Sequence, residues 1–251
     1  MGALHGLADV IELEYIIKTA ENIVFFGGAG VSTESGIPDF RGSGGLYTEV
    51  DELLDVPPET ALSAEYLHTR PERFFEYYRR KMIYPDVEPC GAHRVLAELE
   101  RMGKLSAVIT QNIDGLHQAA GSQNVIELHG STLRNYCSEC GKRYPSEYVT
   151  ESFGVPRCAD CGGVVRPDVV LYGEALDAKA FYRAEEAIYE CDVLIVGGTS
   201  LTVYPAASLI DYYQGEHLII INKTPTPYDS LAEYVFRESI SEVLERATKN
   251  L

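Results

Sequence analysis

Four cysteines and a glycine-rich stretch carry the clearest chemistry in this sequence. Cys137-x-x-Cys140 and Cys158-x-x-Cys161 form two pairs with 17 residues between them. Each pair offers two thiolates from a tight turn, with Gly141, Gly162 and Gly163 beside them. Four thiolates close a tetrahedron around zinc and leave no open position, so the pattern reads as a structural metal site. Redox or disulfide pairs are the alternative. Of the two remaining cysteines, Cys191 leads a strand and reads as a plain buried residue, and Cys90 has no assigned role. The glycine stretch is Gly27-Gly28-Ala29-Gly30-Val31-Ser32-Thr33-Glu34-Ser35-Gly36-Ile37-Pro38-Asp39-Phe40-Arg41-Gly42, directly after the apolar run Ile23-Val24-Phe25-Phe26. A buried strand that runs into Gly-x-Gly lets the backbone turn tightly and approach a pyrophosphate, whose charge meets amides at a helix N-terminus. Two close glycines are also an ordinary loop. Here Ser32, Thr33 and Ser35 add hydroxyl donors, Phe40 offers a ring suited to a nicotinamide, and Arg41 a fork suited to phosphate.

Three more strand ends carry small, amide or acidic side chains. Thr110-Gln111-Asn112-Ile113-Asp114-Gly115-Leu116-His117 follows the apolar Leu105–Ile109, Gly197-Gly198-Thr199-Ser200 follows Val193–Val196, and Asn222 follows Ile219–Ile221. In open α/β sheets ligands bind at that carboxyl edge, so a long cofactor lying across it fits, although Asn and Asp are also common turn residues. His129 ends the short strand Val125–Leu128 and precedes Gly130, which leaves room for a ligand near the backbone. That places a general base beside the cofactor edge; a structural histidine is the plain alternative. His93 and His117 read as structural. An ordinary dehydrogenase has an acid about 20 residues after the glycines, at the end of a second strand. Asp51 and Glu52 have the spacing, but no strand leads to them. The residues thus point to an NAD-type cofactor bound in an unusual way, a structural zinc and a histidine base.

The elements that must position these groups alternate. Asp9 can cap a first helix with Val10, Leu13, Ile17 and Ala20 on one face. From Gly42 to Val87 there is no strand signal, and four prolines punctuate aromatic-rich helical pieces that could cover the cofactor. Helices are expected at Ala92–Met102, Ala180–Tyr189, Ala206–Tyr213 and Ile240–Ala247, and strands at Val169–Tyr172, Asp192–Val196 and His217–Ile221. The fold class is α/β, a doubly wound parallel Rossmann-like sheet with an inserted small module. The expected division is 1–41, 88–130 and 170–251 for the NAD-binding part, 42–87 for a helical insertion and 131–169 for a zinc ribbon.

Composition agrees with a globular protein: 251 residues, 45% hydrophobic and 24% charged. A net charge of −17 argues against direct nucleic-acid binding and suits basic partners such as lysine-bearing segments. No secretion signal or membrane span is read, so the cytoplasm is the expected location and no membrane partner is expected.

Together these residues resemble the sirtuins, the NAD-dependent protein deacylases, along nearly the whole chain. The glycine stretch is similar to that family's cofactor loop, Thr110–His117 to its ribose and nicotinamide motif, and His129-Gly130 to its catalytic motif. The four cysteines match its zinc module. Arg166-Pro167-Asp168-Val169-Val170-Leu171-Tyr172-Gly173-Glu174, Gly198-Thr199-Ser200-Leu201 and Val203-Tyr204-Pro205 follow in family order. The resemblance implies NAD as co-substrate, one structural zinc, and acylated-lysine proteins or peptides as partners, with the oligomeric state left open. NAD would contact Gly28, Ala29, Gly30, Thr33, Asp39, Phe40, Arg41, Gln111, Asn112, Ile113, Asp114, His129, Gly198, Thr199, Ser200, Asn222, Lys223 and Ile240. Asp114 would hold the nicotinamide carboxamide, Asn112 and Gln111 would orient the ribose, and Phe40 would shield the reacting carbon. His129 would take a ribose hydroxyl proton. The substrate backbone would pair between Gly173-Glu174 and Val203, with Val170 accepting from the lysine amide and Tyr172 at the tunnel. Tyr172 stands where the family commonly has Phe.

The implied reaction releases nicotinamide, free lysine and O-acyl-ADP-ribose. A mono-ADP-ribosyltransferase and a non-enzymatic NAD-binding module are the rival readings. Family members that remove succinyl or malonyl groups carry a Tyr-x-x-Arg clamp. Counting back from Pro89 and His93 puts Phe75 and Tyr78 at the clamp positions, which suits acetyl; Tyr77 and Arg80 have the same spacing in a shifted register.

Overall fold

The computed structural model of the chain describes residues 2–40, 42, 45–47 and 56–251, with side chains from Asp9 onward. Nine strands are found among the described residues: Ile23–Gly27 (β1), Leu105–Thr110 (β2), Val125–Glu127 (β3), Gly130–Cys137 (β4), Arg143–Pro145 (β5), Val165–Val169 (β6), Val193–Gly197 (β7), His217–Ile221 (β8) and Tyr234–Phe236 (β9). Six of them form one sheet in the order β3-β2-β1-β7-β8-β9, every pair parallel.

Both faces of this sheet are covered, which is why its strands are apolar at successive residues instead of alternating. Phe25, Val108, Ile195 and Ile219 pack under the helices Gly2–Thr19, Gly91–Arg101 and Ile240–Thr248. Phe26, Ile109, Val196 and Ile220 pack under Ala178–Glu190 and the short 3-10 helix Ala206–Tyr212. The chain builds outward from β1 through β2 to β3, then returns to the other side of β1 with β7. The carboxyl ends of β1 and β7 therefore form the topological switch point, where a doubly wound sheet leaves a crevice.

The second sheet, β5-β4-β6, is antiparallel and starts where β3 ends. It shares one core with the helices Pro58–Ala61, Ala64–Thr69 and Pro71–Lys81: Phe74, Phe75, Tyr77 and Tyr78 pack with Cys137, Val149, Cys158, Val165 and Leu171. Arg79 ties the two parts, its guanidinium donating to the carbonyls of Val149 (2.8 Å) and Gly154 (2.6 Å) and to Ser152 Oγ (2.7 Å).

Several elements differ from the sequence reading. The first helix begins at Gly2, so Asp9 lies inside it and caps nothing. The glycine loop enters a 3-10 helix, Ala29–Ser35, instead of a full α-helix. Ala206–Tyr212 is likewise 3-10. The strand expected at Val169–Tyr172 ends at Val169 and belongs to the small sheet, because Val165–Val169 pairs with β4. The edge strand β9 was not expected; at three residues it is too short to show a period.

His93 and His117 are fully buried with ring centroids 4.6 Å apart. His93 Nδ1 accepts from the Cys90 N–H, which caps the Gly91–Arg101 helix. Neither ring nitrogen of His117 has a partner among the described residues. Burial, with the electrostatic effect of the neighbouring His93 ring adding to it, pushes the His117 pKa down to about 3. A histidine held neutral in the fold contributes stability above its unfolded pKa near 6.5 that is lost as pH falls toward 3. Lowering the pH from 7 to 5 is expected to remove roughly 2 kcal/mol through this group. Urea melts at the two pH values check it, and His117→Gln should flatten the difference.

Candidate active site and metal centre

At the switch point the glycine loop and the loop after β7 interlock. The Gly28 N–H donates to the Gly197 carbonyl (3.1 Å) and the Gly30 N–H to the Gly198 carbonyl (2.8 Å). A Cβ on Gly30 would stand 2.7 Å from Gly198 Cα, and Gly198 itself has φ +61°. The pattern of glycines is thus what lets two loops meet at the sheet edge. They open on a cleft of about 500 Å³ between the large sheet and the small unit. Its wall includes every cofactor and substrate residue expected above except Arg41, which lies outside the described residues, as do Asp51 and Glu52.

Within the cleft Ser32 is the hub. Its buried hydroxyl donates to Asp114 Oδ2 (2.7 Å) and accepts from Asn112 Nδ2 (3.0 Å), while Asp114 Oδ1 accepts from the Leu116 N–H (2.9 Å). The strand-end amide and acid are therefore fixed against the glycine loop before any ligand arrives. Gln111 Nε2 donates to Thr199 Oγ1 (3.0 Å), bridging the ends of β2 and β7. Some hydroxyls and amides serve the loops themselves: Thr33 Oγ1 donates to the Gly30 carbonyl (2.9 Å), and Asn222 Nδ2 to the Thr224 carbonyl (2.8 Å). Asp39 Oδ1 accepts from the Gly42 N–H (2.8 Å). The sequence offered Ser32 only as one of three hydroxyl donors with Thr33 and Ser35, and nothing local marks it as the one that meets Asn112 and Asp114; Glu238, Thr224 and Leu176 also line the cleft and carry no motif signal.

His129 follows β3, with Nδ1 2.8 Å from the Gln111 carbonyl. A carbonyl only accepts, so Nδ1 carries the proton and Nε2 keeps its lone pair. Burial lowers the His129 pKa, opposed by the Gln111 bond, so the ring is neutral at pH 7. Gly130 differs from its expected use. At φ +75° its Cβ would stand 1.9 Å from the Asp168 carbonyl, so the glycine serves the approach of β6 and not ligand access. Glu174 also carries a structural load: its carboxylate accepts from the buried Arg166 (2.9 Å) and the Leu171 N–H (2.8 Å), and its own N–H donates to the Leu171 carbonyl. Of Phe75, Tyr77, Tyr78 and Arg80, only Tyr78 reaches the cleft; Phe75 and Tyr77 are core, and Arg80 is exposed.

The four thiol sulfurs of Cys137, Cys140, Cys158 and Cys161 lie within 4.8 Å of one another. Two of the spacings, Cys137–Cys161 at 3.4 Å and Cys140–Cys158 at 3.6 Å, are near the ~3.8 Å edge of a zinc–thiolate tetrahedron. The Glu139 N–H and the Tyr144 hydroxyl donate to Cys137 Sγ (3.4 Å) and Cys158 Sγ (3.1 Å). The set fits a closed structural zinc site.

The sequence model of the Sir2 family matches residues 28–205. The chain belongs to the Sir2 family. Similar curated proteins are the "NAD-dependent protein deacetylase" of Clostridium perfringens, 56% identical over 93% of this chain and 96% of that protein, and that of Cutibacterium acnes, 51% identical over 93% and 95%. Among solved structures, a Sir2–p53 peptide–NAD+ complex superposes with a TM-score of 0.84 at 38% identity, covering 95% of this chain and 96% of the other. Sir2 bound to acetylated peptide gives 0.83 at 36%, covering 95% and 96%. This Sir2 chain therefore carries both of the family's parts, the doubly wound sheet and the four-cysteine module. No described helix is long and apolar enough to cross a membrane.

Proposed function

We propose that this chain is an NAD-dependent protein-lysine deacetylase, releasing nicotinamide, free lysine and O-acetyl-ADP-ribose. The observation that carries the reading is the neutral His129, proton on Nδ1 and Nε2 basic, lining the same cleft as the interlocked glycine loops. NAD supplies the electrophilic ribose carbon that takes the acyl oxygen as nicotinamide departs. The chain's own residues do the rest: Asn112 and Gln111 orient the ribose, Asp114, set by Ser32, holds the carboxamide, and Phe40 excludes water. His129 accepts the ribose hydroxyl proton through Nε2. Gly173, the Glu174 carbonyl and Val203 pair with the peptide backbone, and Val170 accepts from the acyl-lysine amide. Arg41, Lys223 and Ile240 complete the NAD contacts. Mass spectrometry of NAD incubated with an acetyl-lysine peptide tests this: O-acetyl-ADP-ribose supports it, and ADP-ribose attached to protein indicates a transferase instead.

Acetyl is the proposed acyl group. Leu46, Leu62, Tyr78 and Met82 line the cleft and, among the described residues, no arginine does; Lys81 beside them is a point charge and not a planar fork, and a carboxylate buried without a bidentate partner is costly. We expect kcat/KM for an acetyl peptide to exceed that for its succinyl counterpart by roughly tenfold or more, and Arg80→Met to leave the ratio where it was. A succinyl preference abolished by Arg80→Met would reverse the assignment.

A further inference from the structure

Tyr172 carries one hydroxyl more than the phenylalanine that its family commonly places there, and the structure gives that hydroxyl a partner. Tyr172 Oη lies 2.6 Å from Tyr47 Oη. Both residues line the cleft. Tyr172 is fixed to the helical part: its N–H donates to the Leu62 carbonyl (3.1 Å), and its carbonyl accepts from the Ala64 N–H (3.0 Å). Tyr47 belongs to the loop of Phe40. Its ring packs on the Phe40 ring with centroids 5.3 Å apart, and its N–H donates to the Phe40 carbonyl (2.9 Å). Leu46 N–H adds a bond to the Asp39 carbonyl (2.8 Å). One hydroxyl pair thus joins a firmly held segment on the substrate side to the loop that carries Phe40.

We propose that Tyr172 is a positioning residue: through Tyr47 it clasps the Phe40 loop over the cleft and presents only its ring, not its hydroxyl, to the acyl-lysine tunnel. A phenylalanine at this position would keep the ring and lose the tie. Phe40 and Tyr47 would then be held by their packing and backbone bonds without it, and ligand affinity would fall by the cost of fixing them. A neutral hydroxyl pair at a partly exposed site is worth about 3- to 10-fold. The inference about ligands rests on the NAD-dependent reading above; the clasp itself does not.

The test uses the full chain as wild type, Tyr172→Phe, Tyr47→Phe and the double variant. In the ligand-free protein, hydrogen exchange at the Leu46 and Tyr47 amides should quicken in Tyr172→Phe, which reads the clasp without NAD. By calorimetry each single variant should bind NAD about 3- to 10-fold more weakly, and the double variant no more weakly than the worse single, because both remove one bond. KM for the acetyl peptide should rise more than kcat falls, and the kcat/KM ratio of acetyl to propionyl peptides should not move. Additive losses, unchanged exchange in Tyr172→Phe, or a changed acyl ratio would each overturn the clasp. Wild-type protein that exchanges as expected but binds no NAD would instead overturn the function reading and leave the clasp standing.

Discussion

Replacing His129 by alanine is expected to lower deacetylation turnover by about 100- to 10,000-fold while NAD still binds. The expectation comes from one bond. The Gln111 carbonyl holds the proton on Nδ1, and the neutral ring keeps Nε2 as a base at the cleft. NAD affinity should persist because the glycine loops, Ser32 and Asp114 are held by bonds that do not involve His129. Turnover near wild type in folded His129→Ala would place the base elsewhere. Burial of the same ring sets a pH signature. Burial holds the His129 pKa below its ordinary 6.5, so the base is lost only as pH drops below that value. The acid limb of kcat/KM should therefore fall below pH 6.5, and it should vanish in the alanine variant's residual activity.

Removing the metal should have an equally large effect by a different route. Structural zinc contributes about 10–16 kcal/mol to the folding of small modules. That is comparable with the whole stability of a domain, roughly 5–15 kcal/mol. Cys137 and Cys158 are buried members of the core that also holds Phe75, Tyr78 and Leu171, the last two lining the cleft. We expect one zinc per chain by elemental analysis. Cys137→Ser or Cys158→Ser should lose the metal, lower the melting temperature and abolish activity together. Zinc-free protein that is stable and active would falsify this.

Within one stretch of chain, the sequence by itself determined a great deal. Two Cys-x-x-Cys knuckles make a metal site because the ligand spacing is local, and the tetrahedron the four sulfurs form follows from it. Strand-to-glycine junctions mark the sheet edge for the same reason, since an apolar run and a backbone turn are both short-range features. The continuous apolar strands already required a sheet covered on both faces. Only the tertiary structure decided matters that join distant residues. Ser32 meets Asn112 and Asp114 some eighty positions away. Arg79 donates to Val149, Ser152 and Gly154, 70 to 75 positions further along the chain. The choice among Phe75, Tyr77, Tyr78 and Arg80 depended on how one helix is rotated against the core, which spacing fixes only relative to an assumed register. Val165–Val169 joined β4 because strand membership depends on the available partner, and apolar character cannot name it. The extra hydroxyl of Tyr172 is visible in sequence, but its use depends on Tyr47 lying 2.6 Å away, a contact across 125 residues that no local pattern encodes.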